Sequence, residues 1–116
     1  DPYADYFNIN EYWYNHEVYP QFLRNLYEIV DYFKKKYKNV DILLEFNDNN
    51  IELDTDMSRN ILNQIIFNIR EAILNYQVNI VLLQGKVTDQ EIIAEISYSD
   101  DHGVFDTMKT TYEIKR

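Results

Sequence analysis

"ILNQIIFNIREAILNY", Ile61 to Tyr76, is the stretch whose reading decides the fold. At 100° per residue, Leu62, Ile65, Ile66, Ile69, Ile73 and Tyr76 fall on one arc, the pattern of a helix with one buried side. Gln64, Asn68, Glu71 and Asn75 fall on a second arc, within about 60° of one another by the same periodicity. The stretch therefore specifies a helix that lies on another layer and carries a polar stripe beside its core side. Three amides and a carboxylate in a row are chemically capable. Amide oxygens coordinate hard cations, amide hydrogens bond phosphate, and a glutamate takes a proton from water. The same row is also what a solvated helix side looks like in an asparagine-rich chain.

Immediately upstream, "DTD" at Asp54 to Asp56 offers side-chain oxygens for the helix N-cap, which predicts a helix from about Met57 to Tyr76. Before it, "VDILLEF" alternates, with Ile42, Leu44 and Phe46 on one side. "NDNN", Asn47 to Asn50, is a turn composition, and "IEL" after it predicts a short return strand. Further upstream, Phe22, Leu23, Leu26, Ile29, Val30, Phe33 and Tyr37 recur at helical spacing, with Pro20 expected in the first turn of a helix over 20–38. Lys34, Lys35, Lys36 and Lys38 gather where a helix C-terminus favours cations. Downstream, "NIVLLQGKV" and "EIIAEISYS" predict two strands joined through Thr88, Asp89 and Gln90, and "MKTTYEIK" predicts a last strand. The predicted order is helix, two strands, helix, three strands. That order points to an α+β two-layer sandwich with two long helices on one face of a mainly antiparallel or mixed sheet.

A single α+β domain over 20–116 is expected, preceded by an arm over 1–19. Seven aromatic residues crowd that arm. Among them Tyr6, Phe7, Tyr12, Trp13 and Tyr14 are the candidates for contact with a protein partner or a second copy in a dimer, the other reading being an arm docked on its own domain. The formal net charge of −9 disfavours nucleic acid, because an acidic surface repels phosphates. There is no cysteine, and His16 and His102 stand far apart, so neither a disulfide framework nor a metal site is expected, and no cofactor. No run approaches the roughly 18 apolar residues of a membrane span, and no signal-peptide pattern is visible, which sets a cytoplasmic expectation. No P-loop, HExxH or Ser/His/Asp pattern is present.

With these elements in order, "ILNQIIFNIREAILN" on a helix and "ISYSDDHGVFD" at a strand end resemble the ATP-binding domain of histidine kinases and their relatives, the GHKL or Bergerat fold. In that family a helix bearing an N box packs on a mixed sheet, and a strand ends in Asp-x-Gly-x-Gly, whose aspartate reads adenine. The resemblance covers roughly Phe22 to Asp106 and rests on element order and apolar spacing. It implies nucleotide-site positions at Asn68, Glu71, Asn75, Asp101 and Gly103. Two registers are open. If Asn68 is the first N-box asparagine, the magnesium-ligand position falls on Ala72. If "REAILN" is the box, Glu71 takes the general-base position and Asn75 the magnesium position.

The second glycine of the strand-end motif is Phe105, and the ATP lid and second glycine box have no counterpart. The resemblance therefore implies a truncated, degenerate member, most like the nucleotide-free C-terminal domain of the phosphotransferases of sporulation phosphorelays. An ordinary acidic turn is the other reading of Asp100 to Gly103. "NHEVYPQFLRNL" is faintly similar to the family's phosphoacceptor boxes, with His16 as the acceptor position. The expected function is a non-catalytic regulatory or protein-interaction domain. Two alternatives stand beside it: a small acidic inhibitor of the immunity-protein kind that binds a basic partner, and an ATP-binding kinase fragment using Glu71, Asn75 and Asp101. Close backbone approach to phosphates normally takes glycines, and this chain has two.

Overall fold

The computed structural model describes residues 13–47, 49, 51–100 and 102–114, the side chains of 104 and 105 apart. The elements run α1 (Phe22–Lys36), β1 (Asp41–Phe46), α2 (Thr55–Asn75), β2 (Ile80–Val87), β3 (Glu91–Asp100) and β4 (Gly103–Glu113). The four strands form one sheet in the order β1-β2-β3-β4. β1 pairs parallel with β2, which needs a crossover, and α2 supplies it. The other two pairs are antiparallel. α1 packs on β1, and α2 packs on β2 and β3. This is the expected α+β arrangement with a mixed sheet.

The core forms where the two periodicities meet. α1 contributes Phe22, Leu26, Ile29, Val30 and Phe33, all essentially inaccessible to solvent. α2 contributes Ile61, Leu62, Ile65, Ile66, Ile69, Ala72 and Ile73. β3 alternates strictly, with Ile92, Ala94, Ile96 and Tyr98 turned to the helices. Each large apolar side chain so buried contributes about 1.5–3 kcal/mol relative to exposure. The opposite sheet face is polar in part. On it Gln84 Nε2 donates to Glu45 Oε2 at 3.0 Å, and the Ser97 and Thr107 hydroxyls bond at 3.0 Å. Gly85, opposite Phe46 across the parallel pair, leaves space that the Phe46 ring takes up. A Cβ there would collide with that ring and with the Ile93 carbonyl.

The sequence reading needs four corrections. Pro20 precedes α1 rather than opening it, because Gln21 is the N-cap. Its side chain makes no capping bond, and Asn25 secures the turn instead. The buried Asn25 amide accepts from Tyr19 N–H at 3.0 Å and donates to the Tyr19 carbonyl at 2.8 Å. The expected "IEL" strand does not join the sheet. Asn47 turns its side chain onto the end of β2, accepting from Val87 N–H at 2.7 Å and donating to the Val87 carbonyl at 2.9 Å. The following chain then crosses to the start of α1, where Phe22 N–H donates to the Ile51 carbonyl and Leu53 N–H to the Pro20 carbonyl. Ile51 and Leu53 are buried there. β4 begins at Gly103, five residues before the expected start at Met108. Finally, Tyr76 leaves the core arc: it is the C-cap of α2, half-exposed, with its ring stacked on Tyr98 at 5.2 Å.

Candidate functional site

The capping of α2 aims its polar stripe. Asp54 accepts from Met57 N–H at 2.8 Å, which starts the helix at Thr55 and sets the rotation of every residue after it. With the isoleucine arc turned to the sheet, the stripe faces outward along one flank. Gln64 and Asn75 are exposed, and Asn68 and Glu71 are half-buried. Asn75 Nδ2 donates to Glu71 Oε2 one turn back. The two residues of the "REAILN" register are thus in contact. In the other register the magnesium-ligand position is Ala72, which is wholly buried under the sheet-facing side. At the N-terminal end of the same flank, Met57, Ile61 and Gln64 line a groove of about 480 Å³ with Thr111, Tyr112 and Glu113 of β4. Gln64, the first member of the stripe, thus reaches the edge of the sheet at β4.

The glycine-box segment is a tight hairpin. Asp100 and Gly103 are direct partners across β3 and β4, so the loop is two residues long. His102 N–H donates to the Asp100 carboxylate at 2.7 Å, an Asx-type turn, and His102 is exposed. Gly103 has φ +135, a backbone conformation that side chains rarely adopt, and this alone explains a glycine there. Asp101 lies outside the described residues. Two positions on, Tyr98 pairs with Asp106 and Ser99 with Val104, so Phe105 is the extra residue of a bulge. The position that holds the second glycine in the family motif is thus a strand irregularity in this chain.

Behind the hairpin, Tyr98 is almost wholly buried, and its hydroxyl reaches Asp106 Oδ2 at a long 3.4 Å. Burial first, and the neighbouring Asp106 carboxylate second, push its pKa up to about 12. With Tyr76 stacked on it, this tyrosine pair joins the C-terminal end of α2 to the ends of β3 and β4. Tyr98 was readable as a core position from the alternation of "EIIAEISYS"; its pairing with Tyr76 was not, since the two are far apart in sequence.

On the other flank of α2 the arm makes its contact. Residues 13–15 form a helical turn. Trp13 packs against the core, its indole N–H donates to Asn63 Oδ1, and the Arg59 guanidinium lies 5.7 Å from its ring. Tyr14 is 89% exposed. Tyr6, Phe7 and Tyr12 lie outside the described residues. His16 is exposed, with its ring edge-on to Tyr32 at 6.4 Å. Among the described residues no cluster of three His, Asp or Glu side chains could hold a metal ion, and no helix is long and apolar enough to cross a membrane.

No protein-family model matches the chain, and no curated protein matches it. Among solved structures it is similar to the catalytic domain of the histidine kinase ThkA in a nucleotide-free form, with a TM-score of 0.50 and 19% identity. The match covers 69% of this chain and 56% of that one. At that identity the likeness is one of fold: the chain shares the α+β arrangement of that domain.

Proposed function

We propose that this domain is a regulatory protein-interaction module, a histidine kinase-like fold that works without nucleotide. The observation that carries the reading is the β3–β4 hairpin. Where Asp-x-Gly-x-Gly would open toward a lid, this chain reverses within two residues, takes Phe105 in as a bulge and runs on as an 11-residue strand. Cofactor-free action follows from the same reading. Asn68, Glu71, Asn75, Asp101 and Gly103 are then positions of the ancestral site, with Glu71 and Asn75 engaged with each other.

The contact residues in this reading are Tyr6, Phe7, Tyr12 and Tyr14 of the arm, with Trp13 as its anchor on α2. Tyr14 supports it, being an aromatic side chain left almost fully in solvent. The setting we favour is cytoplasmic phosphorelay signalling, in the manner of the sporulation phosphotransferases, with a protein partner or a second copy. The net charge of −9 favours a second reading, an acidic inhibitor of a basic partner.

The test is a melting scan with magnesium and ATP. Ligand that binds only the folded state raises stability by about 2.7 kcal/mol at a hundredfold excess over Kd. The expected result is an unchanged melting temperature at millimolar ATP. A clear rise that disappears in Asp101→Ala would restore the nucleotide-binding reading. Loss of partner capture on deleting residues 1–12, which leaves the Trp13 anchor in place, with the melting curve retained, would support the arm as the contact.

A further inference from the structure

β4 is an edge strand: among the described residues nothing pairs with its outer side. It is also the longest strand, and it contains no proline. Natural sheets usually blunt such an edge with charged side chains, proline, bulges or a covering element, because a row of open N–H and C=O groups invites another strand. The bulge of β4 lies near its start, at Phe105, which leaves Thr107 to Glu113 a regular run whose exposed charges are Lys109 and Glu113. Ile114 N–H donates to the Gln90 carbonyl at 2.8 Å. Hydrogen-bonded pairs alternate along an antiparallel ladder. Met108, Thr110 and Tyr112 therefore turn their backbone groups to β3, and Thr107, Lys109, Thr111 and Glu113 turn theirs outward. Lys109, Thr111 and Glu113 are exposed on the helix-free face.

We propose that β4 is the dimerisation edge, pairing antiparallel with β4 of a second copy about a two-fold axis at Thr111, so that two sheets become one of eight strands. Three symmetric registers bring outward backbone groups together near the middle of the exposed run. Centred on Lys109, the pairing sets lysine against lysine. Centred on Thr110, it sets Lys109 against threonine and Glu113 against threonine. Centred on Thr111, it sets Lys109 opposite the partner's Glu113, twice by symmetry.

Within one chain Glu113 stands directly across from Glu91, a like-charge pair that disfavours the sheet. The partner's Lys109 on its open side would offset that repulsion. The helix-side geometry agrees. This register places the partner's Tyr112 beside Thr110, next to the groove lined by Met57, Ile61 and Tyr112. The inference concerns a different surface from the arm and holds with or without nucleotide binding.

The experiment is sedimentation velocity on the full chain and four variants, at concentrations up to about 1 mM, which reaches weak affinities. The wild type is expected to show a concentration-dependent dimer. Lys109→Glu and Glu113→Lys are each expected to raise its Kd about tenfold, since each creates two like-charge pairs. Combining the two restores the opposite charges and returns Kd to within about threefold of the wild type. Thr111→Pro removes only an outward N–H, so it is expected to give a monomer with an unchanged melting curve.

A wild type that stays monomeric to 1 mM overturns the proposal. So does a dimer that persists in Thr111→Pro, or one that Trp13→Ala abolishes while Thr111→Pro leaves it intact. If Thr111→Pro fails to fold, the charge-swap series decides: a combined variant no tighter than the single ones removes the register and the proposal with it.

Discussion

The two flanks of α2 share a helix and an N-cap but answer to different constraints. The sheet-facing side, from Ile61 to Ile73, meets a surface that leaves almost no solvent access, so each side chain there is specified by shape. The stripe of Gln64, Asn68, Glu71 and Asn75 meets solvent and a shallow groove, and within it Asn75 donates to Glu71. A residue pattern can be equally regular on both sides of a helix while only one side holds the fold together. The regularity of the apolar arc is therefore indispensable to the fold, and that of the stripe is not.

Substitutions can break or sharpen that contrast. Ile69→Ala, at a fully buried position, should cost about 2–5 kcal/mol in urea unfolding, from lost transfer energy plus the cavity left behind. A loss below 1 kcal/mol would mean the arc is not packed as described.

The next effect lies at the C-terminal end of the helix and depends on pH. The Tyr98 hydroxyl titrates at about 12 in the fold against 10.0 for an ordinary tyrosine. The folded state therefore holds its proton more tightly than the unfolded state. Stability is unaffected by this group below pH 10 and falls as pH rises from 10 to about 12. Tyr98→Phe should flatten the alkaline limb of a melting-temperature profile while leaving its neutral region within a modest offset. An unchanged limb would show that Tyr98 is not the responsible group.

Asp54→Ala should remove the bond to Met57 N–H and cost about 1 kcal/mol, read by the same denaturation series. The smallest changes are expected on the stripe. Glu71→Gln and Asn75→Ala should each move stability by less than about 0.5 kcal/mol, as surface changes do. A gain or loss above 1 kcal/mol, or any difference that appears only with magnesium and ATP, would mark the stripe as a working site.

The sequence by itself determined the two long helices, β1 to β3 and the layer they build. Apolar spacing in α1 and α2, the alternation in β1 and β3, and the Asp54 cap are local signals, and apart from Tyr76 and the helix ends they agree with the structure. The stripe was legible as a set of residues sharing one helix flank, for the same reason. Tertiary structure alone decided what those pieces meet. "IEL" alternates well enough for a strand, but the Asn47 clamp on Val87 and the open start of α1 draw it away from the sheet. Tyr76 sits at a core phase of the helix, yet the helix ends at Asn75 and the ring turns to Tyr98. Trp13 is a sequence candidate for partner contact, and its indole bonds Asn63, fifty residues away on α2. Asp100 to Gly103 fits a nucleotide motif as well as a turn, and it is the register of β4 against β3 that puts a two-residue hairpin loop there. Periodicity specifies which side of an element is buried. The burial partner is chosen by competition among distant segments, and no short window of sequence contains the competitors.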